Sequence, residues 1–246
     1  MRILFAGDTH YPHADPAAID LFFQLTDMVR PHTVVLLGDI ADCAQISSFL
    51  VDPSEMTGEA LQAGLDRAKA FLTDLRALVG AGTEIVYLEG NHESRLASKY
   101  LRKHPEIAGL RALTIPSLLD LDALGITYIS YNTPYRIGGI IAEHGDTVRQ
   151  YAGATARTVL ARRGLSGIMG HSHRASHYHH TTMAGQQEWI ECGCLCRKDM
   201  DYLTSTANWQ HAVTIGTTDD DTGQLHLELV TFHGQTACYG GRLYRA

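Results

Sequence analysis

Apolar and polar positions divide the first hundred residues into short apolar runs separated by longer segments with helical spacing. Arg2 to Ala6 is one such run; it is too short for a helix, stops at Gly7-Asp8, and predicts a buried strand. Asp15-Pro16 supplies a capping carboxylate followed by proline at the first helical position. Ile19, Phe22, Phe23 and Met28 then continue in rough helical spacing toward Arg30. Thr33 to Leu37 predicts a second buried strand, again closed by Gly38-Asp39. From Gly58 to Val79 the apolar residues fall at Leu61, Leu65, Ala68, Leu72, Leu75 and Val79, the stripe of an amphipathic helix. Glu84 to Leu88 is a third strand, ending at Gly90-Asn91-His92-Glu93 before another helical stretch.

This strand–helix–strand–helix–strand order predicts a parallel sheet with polar groups collected at the carboxyl ends of its strands. Further along, Ile126 to Ser130 and Ile137 to Ala142 read as strands, the latter running into Glu143-His144-Gly145-Asp146. A helix is predicted from about Thr147 to Arg163, with Val148, Tyr151, Ala152, Thr155 and Val159 on one face. Ile168-Met169 leads into Gly170-His171-Ser172-His173. The remainder alternates like antiparallel sheet, over Ser176 to Thr182, Gln187 to Cys192, His211 to Ile215 and Gln224 to Phe232. No composition shift or repeat interrupts the order, so residues 1–246 read as one domain.

Composition narrows the class. With 246 residues, 45% hydrophobic and 19% charged, the chain is unlike a disordered, collagenous or coiled-coil sequence and is long enough to bury a substantial core. The balance of 20 basic against 27 acidic residues, a net −7, argues against a broad surface that grips nucleic acid through phosphates alone. No apolar stretch is long enough to span a membrane, and the N-terminal run is too short for a signal peptide, so no membrane partner is expected. Of five cysteines, Cys192, Cys194 and Cys196 sit at alternate positions, too close to staple anything distant. They lack a second pair at zinc spacing and read as buried small apolar residues in a reducing, cytoplasmic setting. One count changes the picture: 14 histidines against 4 lysines. Histidine titrates near neutrality and is the commonest metal ligand.

Five polar clusters fall at predicted strand ends: Asp8-Thr9-His10, Gly38-Asp39, Gly90-Asn91-His92-Glu93, His144-Gly145-Asp146 and Gly170-His171-Ser172-His173. Any one of them is a common chance arrangement. On an extended segment residues i and i+2 point the same way, so Asp-x-His and His-x-His can each present two side chains to one centre. Converging carboxylates and imidazoles are costly to bury unless paired or bound to a cation. Nitrogen and oxygen donors without thiolate suit Mn, Fe, Zn, Ni or Co.

The ordered set D-x-H, G-D, G-N-H-[DE], H, G-H-x-H resembles the calcineurin-like metallophosphoesterases and spans Asp8 to His173, about two-thirds of the chain. The resemblance implies a four-layer α/β/β/α sandwich with the site above the strand ends. It also implies two divalent metal ions, manganese foremost. By motif position Asp8, His10 and His173 would hold the first metal and Asn91, His144 and His171 the second, with Asp39 bridging. His92 would face the substrate and protonate the leaving group. The implied reaction is in-line attack on phosphorus by a hydroxide shared between the metals. Asp42 and Asp146 are candidates to orient histidines from behind, or are loop carboxylates.

Within that family, Gly90 to Arg95 reads locally like the Ser/Thr protein phosphatases. Cys43 stands where those enzymes carry a phosphate-gripping arginine, and Tyr11 where they have glycine. His92 likewise departs from the lipid A pyrophosphohydrolases, which have arginine there. The small stand-alone bacterial and phage-borne enzymes remain, acting on phosphodiesters or monoesters in small molecules, nucleotides or nucleic-acid ends. Diesters are favoured because a positioned acid helps most with a poor leaving group. A catalytically silent scaffold would be expected to have lost ligands, and none is lost here. Arg95, Arg149 and Arg174 follow motifs closely enough to be candidates for gripping phosphate, with Arg197 a further one. Alternatively these arginines are solvated. His177, His179 and His180 read as partly exposed strand residues beside the last motif. The segment from Arg95 to Thr127 leaves open whether it closes over the cleft, and oligomeric state is open as well.

Overall fold

The computed structural model describes residues 1–47, 57–183, 185–199 and 207–246. It contains strands β1 (Arg2–Ala6), β2 (Thr33–Leu36), β3 (Glu84–Leu88), β4 (Ile126–Ile129), β5 (Tyr135–Ile137), β6 (Ile140–Glu143) and β7 (Gly167–Met169). Six more follow: β8 (Ala175–Thr182), β9 (Gly185–Cys192), β10 (Ala212–Thr218), β11 (Leu225–His233), β12 (Thr236–Tyr239) and β13 (Arg242–Arg245). The helices are α1 (Pro16–Val29), α2 (Gly58–Val79), α3 (Asn91–Arg95), α4 (Ile115–Leu118) and α5 (Ala154–Arg163).

One sheet has the order β13-β12-β11-β10-β1-β2-β3-β4 and the other β5-β6-β7-β9-β8. The run from β1 to β4 is parallel, as are β6 with β7 and β7 with β9. Strand alternation builds the layers. Ile3, Phe5, Val35, Leu37, Val86 and Leu88 face Ile140, Ala142, Ile168, Ile190 and Cys192 across the space between the sheets. Leu4, Ala6, Val34, Leu36, Ile85 and Tyr87 point the other way, onto Leu21, Phe22 and Leu25 of α1 and Leu65, Phe71 and Leu72 of α2. On the outside of the second sheet, Ile141, Met169 and Trp189 pack against Ala156, Val159 and Leu160 of α5. The result is helix, sheet, sheet, helix: the four-layer α/β/β/α sandwich. The apolar runs that looked uniform in the sequence are strands buried on both faces.

Local signals account for the helix starts. Asp15 caps α1 by accepting from Ala18 N at 3.0 Å, and Thr57 does the same for Ala60 N of α2 at 3.1 Å. Three expectations are corrected. The strand read over 137–142 is a hairpin, because Gly138 and Gly139 both take positive φ (56° and 81°) and turn β5 into β6. The helix expected from Thr147 begins only at Ala154; Val148 and Tyr151 are exposed, and Gly153 (φ 83°) breaks the chain before the first turn. Beyond Phe232, where the sequence predicted no element, β12 and β13 pair around Gly240-Gly241 at the edge of the larger sheet.

The segment after Arg95 forms short turns that bury Leu96, Leu101, Ile115, Leu119 and Leu121 in the core shared with α1 and α2. It is anchored in the body of the protein rather than poised as a lid. Among the described residues no helix is long and apolar enough to cross a membrane.

Candidate metal centre

The loops leaving β1, β2, β3, β6 and β7 meet at one end of the sandwich. Asp8, His10, Asp39, His171 and His173 all adopt left-handed backbone, with φ of 53°, 48°, 51°, 65° and 57°. Side chains other than glycine rarely accept this, at a cost on the order of 1 kcal/mol per residue. Its repetition in three of the motif clusters marks loops bent for a purpose other than stability. Glycine lets two of them touch: a Cβ on Gly90 would fall 2.1 Å from Asp39 Oδ1, and one on Gly38 2.8 Å from Gly90 Cα.

Two groups of donors result, with Asp39 between them. In the first, His10 Nε2 lies 3.0 Å from His173 Nε2, and Asp8 Oδ1 is 3.3 Å from His173 Nε2 and 3.9 Å from His10 Nε2. In the second, His144 Nε2 lies 2.9 Å from Asn91 Oδ1, with the His171 ring edge-on to His144 at 5.1 Å. Asp39 Oδ2 reaches both, 3.6 Å from His10 Nε2 and 3.3 Å from His144 Nε2. Asp8, His10 and His173 form one potential ligand group, and Asp39, His144 and His171 another.

The far side of each key imidazole shows what these groups fit. His144 Nδ1 is 2.7 Å from the Leu37 carbonyl and must donate to it, so in the neutral ring Nε2 is a bare lone pair facing the oxygens of Asn91 and Asp39. His10 Nδ1 is 2.8 Å from Asp42 Oδ1, which turns its Nε2 lone pair toward His173 and both carboxylates. Buried acceptors pointed at acceptors repel unless a proton or a cation sits among them. The titration tendencies express the same demand for positive charge. Burial opposes charge on His144, yet Asp39 and Asp8 lift it to about 10. His173 is likewise raised to about 10 against its burial, by Cys196 and Asp8. His171 is pushed down to about 4 by burial and by His144. Burial also opposes the Asp39 carboxylate, but His144 and His92 hold it well below its usual range. Ligand atoms about 3 Å apart suit cations with metal–nitrogen bonds of about 2.0–2.1 Å.

His92 lies beside the first group, close enough to His10 and Asp39 to form a third potential ligand set with them, but is the most exposed of these imidazoles in contact with Asp39. Its Nδ1 is 2.7 Å from the Asp42 carbonyl and 3.0 Å from Asp42 Oδ1, while Nε2 lies 3.8 Å from Asp39 Oδ2. The side chain is 21% exposed where His10 and His144 are sealed. Burial lowers its basicity, but Asp39 and Asp42 outweigh that and raise it above the ordinary imidazole value.

The other sequence candidates divide. Asp42 bridges His10 and His92 from behind. Asp146 does not reach any histidine; it is half exposed and pairs with Arg162 at 2.9 Å, because α5 begins late and presents that arginine to the loop. Arg95 is buried and donates to the Asp42 carbonyl at 3.4 Å, so it braces the loop behind His92 instead of reaching outward. Arg174 donates to the Arg149 carbonyl, and Arg149 is exposed on the loop before α5. Cys192, Cys194 and Cys196 are buried as expected, and Cys196 Sγ sits 3.9 Å behind His173 Nδ1.

Sequence reasoning assigned no role to Glu93. It is fully buried, and Oε1 accepts from Ile40 N (2.6 Å), Ala41 N (3.0 Å) and Tyr87 Oη (2.7 Å). Oε2 accepts from Asp39 N (3.2 Å) and Gly90 N (3.1 Å). One carboxylate thus clamps the Asp39 loop to the Asn91 loop; burial and Asp39 raise its pKa to about 7. A glutamate three residues after Gly90 has the spacing of a helix-capping acid, a signal that was available. Glu93→Ala strands five donors and is expected to cost about 3 kcal/mol or more. Calorimetry should show a thermal midpoint lower by about 10 °C.

Comparison with known proteins adds lineage to this geometry. The family model described as calcineurin-like phosphoesterase matches residues 1–191. The Gene 54 protein of Mycobacterium phage D29 is 30% identical over 232 residues, covering 89% of this chain and 89% of that protein. The Gene 54 protein of Mycobacterium phage L5 is 27% identical over 256 residues, covering 99% and 98%. Among solved structures, a single mutant of Vps29 from Entamoeba histolytica aligns over 95% of this chain and all of that one, with 14% identity and a TM-score of 0.45. Vps29 of Chaetomium thermophilum aligns over 94% and 98%, with 11% identity and a TM-score of 0.44.

Proposed function

The chain belongs to the calcineurin-like phosphoesterase family, and from that premise we propose that it is a dinuclear, metal-dependent phosphodiesterase acting on a nucleotide or nucleic-acid end in a cytoplasmic setting. The observation that carries the reading is Asp39 Oδ2, set between the Nε2 atoms of His10 and His144 at 3.6 and 3.3 Å, each imidazole fixed from behind. Asp8, His10 and His173 would hold one divalent cation and Asn91, His144 and His171 the other, with Asp39 common to both. When bound, the cations supply Lewis-acid charge for the phosphoryl oxygens and acidify coordinated water.

The chain's own residues do the rest. Asp42 fixes the tautomer of His10 and the orientation of His92 through two hydrogen bonds to ring nitrogens. His92, with Nδ1–H given to Asp42, holds its second proton on Nε2 at the edge of the cleft. Its raised basicity favours the imidazolium, which can pass the Nε2 proton to a departing alkoxide. That service matters most for a diester with a poor leaving group, which supports diester over monoester. Several of the acids behind the net −7 lie in the centre itself, so the overall sign weighs little against an anionic substrate.

The test compares bis-p-nitrophenyl phosphate with p-nitrophenyl phosphate on protein stripped by a chelator and reloaded with Mn²⁺. Hydrolysis is expected to vanish on stripping and return on reloading, with the diester turned over faster. Turnover that survives complete metal removal would overturn the metal assignment, and a faster monoester would overturn the diester preference.

A further inference from the structure

A second cluster lies away from the strand-end loops, on the hairpin of β8 and β9. His177 and His179 are two apart on β8 and so share a face, and Glu188 of β9 is directly opposite His179 in the antiparallel register. The face is the inner one, continuous with Ile190 and Cys192, but at the sheet's outer edge it opens into a cavity of about 640 Å³. Gln224 and His226 line its other wall. His177 Nε2 is 2.7 Å from Glu188 Oε2, His179 Nδ1 is 3.7 Å from the same oxygen, and the two rings lie 4.0 Å apart.

We propose that His177, His179 and Glu188 form a binding site for a first-row divalent cation, Zn²⁺ foremost, separate from the phosphoesterase centre. The three donor atoms lie within 4.8 Å of one another, each from a different side chain. The lone pair of His179 is the telling feature. Gln186 Nε2 lies 3.2 Å from His179 Nδ1 and donates to it, so Nδ1 is unprotonated while also facing the Glu188 carboxylate. A cation there would take over the His179 lone pair from the exposed Gln186 amide, which is free to turn to solvent, and would meet the Glu188 carboxylate on its other side. Two imidazoles and one carboxylate suit Zn²⁺, Ni²⁺ or Co²⁺ better than Mg²⁺ or Ca²⁺, which prefer all-oxygen sites. The remaining coordination positions face the cavity, where water or the side chains of its far wall complete the shell. The group has no residue in common with the two at the strand ends, so the centres share no ligand. This site's failure would therefore leave the phosphoesterase reading intact.

The experiment is metal counting on the whole protein. After chelation and dialysis against Zn²⁺, wild type is expected to retain about one equivalent more than His177→Ala/His179→Ala, measured by plasma mass spectrometry. Glu188→Gln keeps the side chain's size and is expected to weaken that equivalent about tenfold, and it decides the matter alone if the double variant fails to fold. Co²⁺ loading gives a second readout, since visible absorption from a histidine-ligated site should fall in both variants. Diester hydrolysis should persist in both. Equal Zn²⁺ content and equal affinity in wild type and folded variants would overturn the proposal.

Discussion

Asp39→Asn is expected to reduce metal-dependent diester hydrolysis by about 10³-fold or more, with bound metal falling as well. The substitution preserves shape and changes only charge and one donor–acceptor identity, so the effect reports on chemistry. Asp39 Oδ1 accepts from His92 N at 2.8 Å, while Oδ2 faces His144, His10 and His92 at 3.3, 3.6 and 3.8 Å. An asparagine that keeps the first bond must point its NH₂ at the position between the two ligand groups, where it offers no lone pair. Turned over, the same NH₂ meets the His92 backbone N–H. Neither orientation serves, because both oxygens are committed as acceptors. Kinetics with Mn²⁺ and metal analysis of the same sample check the result; a variant with wild-type turnover would sink the assignment of Asp39.

His92→Ala is expected to cost about 10²- to 10⁴-fold in turnover while leaving metal content unchanged. His92 shares Asp42 with His10 but contributes to neither ligand group centred on His173 or on Asn91. Removing its ring leaves Asp42 still bonded to His10 Nδ1 at 2.8 Å, so the first group keeps its geometry. If the ring acts as an acid, the loss should be smaller for a p-nitrophenyl diester, whose leaving group needs little protonation, than for a nucleotide diester. An equal loss on both would reject the acid role. Loss of metal would instead make His92 part of the framework.

The two variants separate functions that the sequence presents as neighbours. Asn91 and His92 are adjacent, yet one side chain turns to His144 and the other to Asp42. The cause is that Asn91 opens α3, whose first turn points successive side chains in different directions.

Much of this was legible from residue order. Buried strands at 2–6, 33–36 and 84–88, the helix at 58–79 with its cap at Thr57, and the clusters that end those strands depend on short-range patterns. Apolar runs need burial on both faces, and caps and glycines act within a few residues. Even two of the misreadings were recoverable. Gly138-Gly139 is a two-residue hairpin signal inside what looked like one strand, and Gly240-Gly241 is another. The start of α5 was only half recoverable: Gly153 is a local break, but the contact that holds it is distant. Glu191, on β9, accepts from Gly153 N at 2.7 Å and helps fix where that helix begins.

The same division holds for the site. The sequence by itself determined the family and which donors stand at which strand ends, because motif order and i, i+2 spacing are local properties. Only the tertiary structure decided which acids and arginines join them: Asp42 bridges two histidines and Glu93 clamps two loops, Asp146 goes to Arg162, and Arg95 is turned inward. Those outcomes depend on hydrogen bonds between residues tens of positions apart. A carboxylate's partner is chosen by which backbone donors and charged groups packing brings within about 3 Å, a distance that residue order does not encode.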